Sequence, residues 1–226
     1  MIDAVYGADL QSAREELVAC GVRLLGKGIL TQTSGNLSIR LSPEVIAITP
    51  TSIEYDKMKP DDIVVCSLDG TVLEGAKAPS SETPLHAAVY QHRDDISAIV
   101  HTHSGHATTL AILGMPIPAV HYIIASLNTT TVPVAAYATY GTPELAASVR
   151  DTFQAPCMAV LIANHGMVAG GRTLKQAADG AETTEILASY YYRGLAVGQP
   201  NVLTADQMGE VFAKYQRKPA DASTVY

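Results

Sequence analysis

The 226-residue chain contains no tryptophan, two phenylalanines and three cysteines. Cys20, Cys66 and Cys157 are far apart, odd in number and form no CxxC pair, which excludes a disulfide framework or a thiolate zinc site. Basic residues are also scarce: 15 Lys+Arg against 22 Asp+Glu give a net charge of −7, so no basic face for nucleic acid is expected. No apolar run approaches the roughly 20 residues of a membrane span; the longest, such as Met158–Ala163, is far shorter. The N-terminus carries acids early and lacks a basic start followed by an apolar block, so no signal peptide and a cytoplasmic, reducing location are expected. Neither GxxxxGK[ST] nor GxGxxG occurs, and there is no internal repeat, low-complexity stretch or linker. With 47% hydrophobic and 16% charged residues the chain can bury a core, and a single domain over residues 1–226 is expected.

What is present alternates between helix and strand signals. Apolar residues from Leu10 to Leu25 recur at helical spacing, and Gly26 and Gly28 end that run. Short β-like pieces follow at Asn36–Arg40, Val45–Thr49 and Ile63–Ser67, the last closed by Asp69-Gly70. A helix is predicted over Thr83–His92, with Pro84 near its start, and others over Gly105–Leu113, Glu144–Phe153 and Thr173–Leu195. Ile96–Thr102 and Met158–Ala163 are apolar strands, and Met115–Val120 or Val132–Ala136 supply further ones. Glu74–Ser81 is taken as a loop. Many strand connections are too short for an all-parallel sheet, so an α/β fold with a mostly antiparallel sheet and helices on its faces is expected.

Three constellations carry chemistry. His101-Thr102-His103 ends an apolar strand, where residues i and i+2 share a face and two imidazoles can reach one ion. Alone, the pair is equally compatible with two surface histidines. His165 stops the Met158–Ile162 run in Ala163-Asn164-His165-Gly166, and three imidazoles with an open position suit a catalytic zinc. Pro79-Ser80-Ser81-Glu82-Thr83-Pro84 precedes a helix, giving either plain capping or an anion cradle, with Glu82 a ligand or general base. Thr33-Ser34-Gly35-Asn36-Leu37-Ser38 and Thr49-Pro50-Thr51-Ser52 are turns rich in hydroxyls that could hold phosphate oxygens. His86 and His92 read as surface or packing residues, His106 as unmatched to a ligand, and Tyr190-Tyr191-Tyr192 as packing.

The ordered motifs TSGN, ITPTS, PSSE, HTH, PAVHYIIA, YATYGT and NHG, from about Leu10 to Gly198, resemble the class II aldolase/epimerase family. Val134–Thr142 is most similar to the fuculose-phosphate aldolases within it. The resemblance implies a three-layer sandwich, a homotetramer with active sites between subunits, and one zinc per subunit held by His101, His103 and His165. Glu82 matches the carboxylate that is fourth ligand and acid/base. Gly35, Asn36, Thr51, Ser52, Ser80 and Ser81 match phosphate-binding positions, Tyr122 the tyrosine supplied across the interface to the aldehyde oxygen, and Tyr140 an aromatic residue of the aldehyde pocket. The implied activity is reversible cleavage of a ketose 1-phosphate, such as L-fuculose 1-phosphate, to dihydroxyacetone phosphate and a small aldehyde such as L-lactaldehyde. A sugar-phosphate 4-epimerase acting on L-ribulose 5-phosphate, a sugar-acid-phosphate decarboxylase or a dehydratase is the alternative within the family. A metal-dependent hydrolase and a non-catalytic adducin-like domain are alternatives outside that group. Three departures stand out: Ser52 in place of glycine, Asn128–Thr131 in place of a glycine-rich stretch, and Lys218 where a C-terminal tyrosine is expected.

Overall fold

The computed structural model describes residues 3–216. The chain runs through α1 (Asp3–Gly26), β1 (Asn36–Ser42), β2 (Val45–Ile48), β3 (Val64–Ser67), β4 (Val72–Glu74), α2 (Thr83–His92), β5 (Ala98–Thr102) and α3 (Gly105–Ile112). It continues with β6 (Ile117–Pro118), β7 (Thr131–Val132), β8 (Val134–Ala135), α4 (Pro143–Thr152), β9 (Ala159–Ile162), β10 (Gly166–Gly171), α5 (Leu174–Val197) and α6 (Ala205–Gln216). Eight strands form one sheet in the order β4-β3-β2-β1-β5-β10-β9-β8, and β6 pairs with β7 separately. Every pairing in the large sheet is antiparallel except β8 with β9. The expected α/β fold with a mostly antiparallel sheet is therefore what forms.

Strand side chains alternate between faces, and here both faces are apolar. Ile46, Ile48, Val64, Ile99, Val160, Ile162 and Val168 enter one core with Leu85 and Val89 of α2 and Leu145 and Val149 of α4. Their neighbours Ala47, Val65, Val100, Leu161 and Met167 enter the other, with Leu17 and Leu24 of α1, Leu110 of α3, Leu187 of α5 and Met208 of α6. Helices thus cover both faces, because a sheet apolar on both sides must bury both. The same alternation sets up the site. On β1, Leu37 packs on the α1 side, so Asn36 and Ser38 face α2; on β5, His101 shares the face of Ile99 and also looks toward α2.

Helix ends follow local chemistry. Thr142 caps α4 by accepting from the Leu145 N–H, and Thr173 caps α5 by accepting from the Gln176 N–H. Pro143 and Pro84 occupy the first turns of α4 and α2, where no N–H is needed. The three cysteines are buried and unpaired. Among the described residues no helix is long and apolar enough to cross a membrane.

Four features differ from expectation. β10, for which the sequence predicts no strand, lies between β5 and β9 in the sheet. Glu74, read as the start of a loop, ends the edge strand β4, and α6 is an added helix. Met115–Val120 contributes only Ile117–Pro118 as strand, after which Tyr122–Leu127 winds into a 3-10 helix closed by Asn128 at φ +52°. Lys218 lies outside the described residues.

Candidate metal centre and its cavity

Three elements of the sheet end bring the titratable residues together. His101 is in β5 and His103 lies just beyond it. His165 sits in the turn between β9 and β10, where Asn164 takes the left-handed conformation (φ +55°) that asparagine tolerates. Glu82 is the N-cap residue of α2. Its approach is fixed by a short ladder: the Ser80 N–H donates to the Thr49 carbonyl, the Thr51 N–H to that of Ala78, and the Glu82 N–H to Ser80 Oγ. Two glycines let backbones and rings close in. Gly35 holds φ +82°, and a Cβ there would lie 2.5 Å from the His101 carbonyl oxygen. A Cβ on Gly166 would lie 2.8 Å from the His103 ring.

The three imidazole rings have centroids 4.9 Å apart pairwise. His101 Nδ1 is 2.8 Å from the Met167 carbonyl oxygen, which only accepts, so Nδ1 carries the hydrogen. In the neutral ring Nε2 is then a bare lone pair. It faces His103 Nε2 at 3.0 Å and Glu82 Oε2 at 2.9 Å. Glu82 Oε1 is buried, has no hydrogen-bond partner, and lies 3.3 Å from His165 Nε2. Electron-rich atoms this close repel one another unless they share a cation. Four donor atoms, one from each residue, lie within 4.8 Å of one another. Bonds of about 2.0–2.1 Å in a tetrahedron separate donors by roughly 3.3 Å, so these contacts fit a single divalent ion.

The same closeness couples the protonation of these groups. Burial works to raise the Glu82 carboxyl, but the adjacent His101, then His165, and the Asn36 amide outweigh it and hold the carboxyl well below the usual range. Burial works to lower His101, yet the Glu82 carboxylate raises it. Burial, and after it the charge of His101, push His103 and His165 each down to about 4, so both rings are neutral near pH 7 and offer lone pairs.

Beside the cluster opens a cavity of about 520 Å³. It is lined by Gly35, Asn36, Thr51, Ser52, Ser80 and Ser81, by Glu82, His103 and His165, and by Tyr140, so nearly all of the expected site residues meet there. None of the lining residues is Lys or Arg. An anion in this cavity would therefore meet hydroxyls, backbone N–H groups and the N-terminus of α2. The Tyr55 O–H donates to the Gly35 carbonyl and braces that loop. Ser52 holds φ +61°, a left-handed backbone that glycine adopts freely, and presents an exposed hydroxyl 3.4 Å from Thr51 Oγ1.

Tyr122 does not line this cavity. It is exposed and stacks on His121 at 4.5 Å, while His121 Nδ1 accepts from the Ile123 N–H. His106 pairs with Glu185, whose carboxylate also accepts from the N–H groups of His106 and Ala107. Tyr191 packs against the core, and Tyr190 and Tyr192 are exposed. Thr33, Ser34, Tyr137, Ala138 and Asn164 also line the cavity. Each lies inside a motif already noted (TSGN, YATYGT, NHG), which was the available signal. Of the two readings of His86, packing holds: it is wholly buried against Asn36 and Ser38, where its hydrogen bonds are what the sequence does not reveal.

A mostly antiparallel α/β sheet whose end gathers three imidazoles and a carboxylate beside a hydroxyl-rich cavity is the architecture of the metal-dependent class II aldolases. Residues 15–192 match the family described as Class II Aldolase and Adducin N-terminal domain, and the chain belongs to that family. It is 41% identical over 208 residues to 5-deoxy-D-ribulose 1-phosphate aldolase of Bacillus thuringiensis, covering 92% of this chain and 97% of that protein. It is 38% identical over 205 residues to L-fuculose phosphate aldolase of Escherichia coli O6:H1, covering 90% of this chain and 94% of that one. A solved structure of an L-fuculose 1-phosphate aldolase superposes with a TM-score of 0.86 at 40% identity, over 91% of this chain and 96% of the other.

Proposed function

We propose that this protein is a zinc-dependent aldolase that reversibly cleaves a ketose 1-phosphate to dihydroxyacetone phosphate and a small aldehyde. The observation that carries the reading is the convergence of His101, His103, His165 and Glu82 beside a cavity lined with hydroxyls and with no Lys or Arg in its lining. A donor set of three imidazoles and one carboxylate favours zinc over magnesium or calcium, which prefer oxygen ligands throughout. When bound, such an ion supplies Lewis acidity to the substrate carbonyl and so stabilises the negative charge left as the carbon–carbon bond breaks.

The chain's own residues do the rest. Gly35, Asn36, Thr51, Ser52, Ser80 and Ser81 hold the phosphate, so that binding energy far from the reacting bond orients the substrate. Glu82 takes the proton from the carbon of dihydroxyacetone phosphate that becomes nucleophilic, and returns it in cleavage. Tyr140 and Tyr137 form the wall that meets the aldehyde end. Tyr122, exposed and away from the cavity of its own chain, serves the aldehyde oxygen in the site of a neighbouring subunit of a cytoplasmic homotetramer. Relatives named for L-fuculose phosphate and for 5-deoxy-D-ribulose 1-phosphate share the ketose 1-phosphate head and differ in the aldehyde released, L-lactaldehyde in the first case and acetaldehyde in the second.

The test is solvent hydrogen exchange into dihydroxyacetone phosphate, followed by condensation with each aldehyde. Wild-type protein is expected to exchange one hydrogen and to condense with L-lactaldehyde, and Glu82→Gln to lose exchange by at least about 100-fold. Exchange at the wild-type rate in Glu82→Gln removes the base from the scheme. Epimerisation of L-ribulose 5-phosphate with no condensation replaces the aldolase reading by the 4-epimerase one.

A further inference from the structure

Behind Glu82 lies a buried chain of polar side chains of which the reaction scheme uses only the first, Asn36. Asn36 Nδ2 is 3.0 Å from Glu82 Oε2, and Asn36 Oδ1 is 2.5 Å from His86 Nε2. His86 Nδ1 is 2.6 Å from Ser38 Oγ, which is 2.8 Å from the Tyr90 hydroxyl. We propose that His86 is a positioning residue, which through Asn36 fixes the orientation of the Glu82 carboxylate toward the three imidazoles. The inference rests on the reading of Glu82 as ligand and base and adds a residue to it.

The hydrogens in this chain have one consistent order. A carboxylate only accepts, so Asn36 presents its N–H₂ to Glu82 and its oxygen to His86. His86 Nε2 must then carry the hydrogen it donates to that oxygen. Burial, and after it the charge of His101, push His86 down to about 3, so the ring is neutral and its Nδ1 is a bare acceptor. The Ser38 O–H donates to it, and the Tyr90 O–H closes the chain on Ser38 Oγ or on the Ser38 carbonyl 3.2 Å away. Were the ring to take the other tautomer, two lone pairs would face each other between His86 and Asn36, and the amide would be free to turn away from Glu82. Glu82, His86 and Tyr90 follow one another at intervals of four residues around α2, so the helix lines them up along one face. Oε1 of Glu82 has no hydrogen bond and Oε2 lies 2.9 Å from His101 Nε2, so Asn36 is the contact from outside the imidazole cluster that holds the carboxylate plane.

Two substitutions separate positioning from mere packing. His86→Gln places an amide N–H near the former Nε2 and keeps the bond to Asn36. His86→Asn places an amide oxygen near the former Nδ1 and keeps the bond to Ser38 alone. Cobalt(II) affinity, measured by chelator competition on the full chain, is expected to fall about tenfold or more in His86→Asn and to stay near the wild-type value in His86→Gln. The kcat for hydrogen exchange should fall in parallel with the metal affinity. Should His86→Asn not fold, Ser38→Ala and Tyr90→Phe take its place. Ser38→Ala removes the hydroxyl that fixes the tautomer and should weaken cobalt binding, whereas Tyr90→Phe should cost stability only. Equal losses in the Gln and Asn variants, no loss in Asn, or unchanged affinity in Ser38→Ala overturn the assignment. Wild-type protein that takes up no cobalt overturns the metal reading, and this assignment with it.

Discussion

Gly166→Ala is expected to damage fold and site together. Gly166 opens β10 opposite Ile162 of β9, and its neighbour Met167 pairs with Thr102 of β5. A Cβ added there would lie 2.4 Å from the Thr102 carbonyl oxygen and 2.8 Å from the Cδ2 of His103. Restoring van der Waals contact requires a shift of about 1 Å, shared between strand backbone and ligand ring, and neither is the loose end of a flexible side chain. Overpacking of this kind costs about 1–3 kcal/mol, or roughly 2–12 °C of Tm for a chain of this size. Donor atoms now 2.9–3.3 Å apart would also lose their common focus if His103 moved by that much. Urea unfolding of metal-free protein and zinc affinity by chelator competition are therefore both expected to fall. Gly209→Ala is the control: its Cβ, on α6, would meet nothing within 4 Å, and the change should stabilise by up to about 1 kcal/mol. A Gly166→Ala protein with unaltered unfolding midpoint and zinc affinity would refute the claim that glycine is there for close approach.

Two further outcomes follow from local conformation and burial. The left-handed backbone of Ser52 costs a non-glycine residue about 1–2 kcal/mol, and the extra chain entropy of glycine takes back roughly 0.5–1. Ser52→Gly should thus be more stable by about 0.5–1 kcal/mol, visible in Tm, while KM for the phosphorylated substrate rises with loss of the hydroxyl; a destabilised variant would show that the Thr51 contact matters more. His86, lowered to about 3 when folded, binds its proton only on unfolding once the pH drops below about 6.5. The unfolded chain then holds more protons, so metal-free stability should decline as pH falls from about 6.5 toward 3, by at most about 1.4 kcal/mol per pH unit from this residue. Denaturation midpoints from pH 7 to 4 check this, and a slope unchanged in His86→Gln would assign the effect elsewhere.

Much of this molecule was legible in its sequence where one rule dominated locally. α2 forms over Thr83–His92 as expected, because Pro84 starts it and Leu85 and Val89 give it an apolar side. The HxH pair can be placed on a strand end from alternation alone, but its meeting with His165 and Glu82 depends on three segments distant in sequence, and motif order points to it where spacing does not. β10 was hidden because Gly166, Gly170 and Gly171 depress strand propensity, and their purpose is close contact with neighbours that sequence does not reveal. Surface and packing stay open for His86 in the sequence because a histidine on a helix carries no sign of burial by itself. The interval linking Glu82, His86 and Tyr90 was the clue, and its meaning emerges only once Asn36 and Ser38 are seen on the facing strand.

The most direct test of the central claim is zinc titration of chelator-treated protein, following both bound metal and release of dihydroxyacetone phosphate from a ketose 1-phosphate. Uptake of one zinc per chain, with activity rising in proportion and saturating at one equivalent, is the expected result; His101→Ala should abolish both. Full cleavage by protein that holds no metal would contradict it.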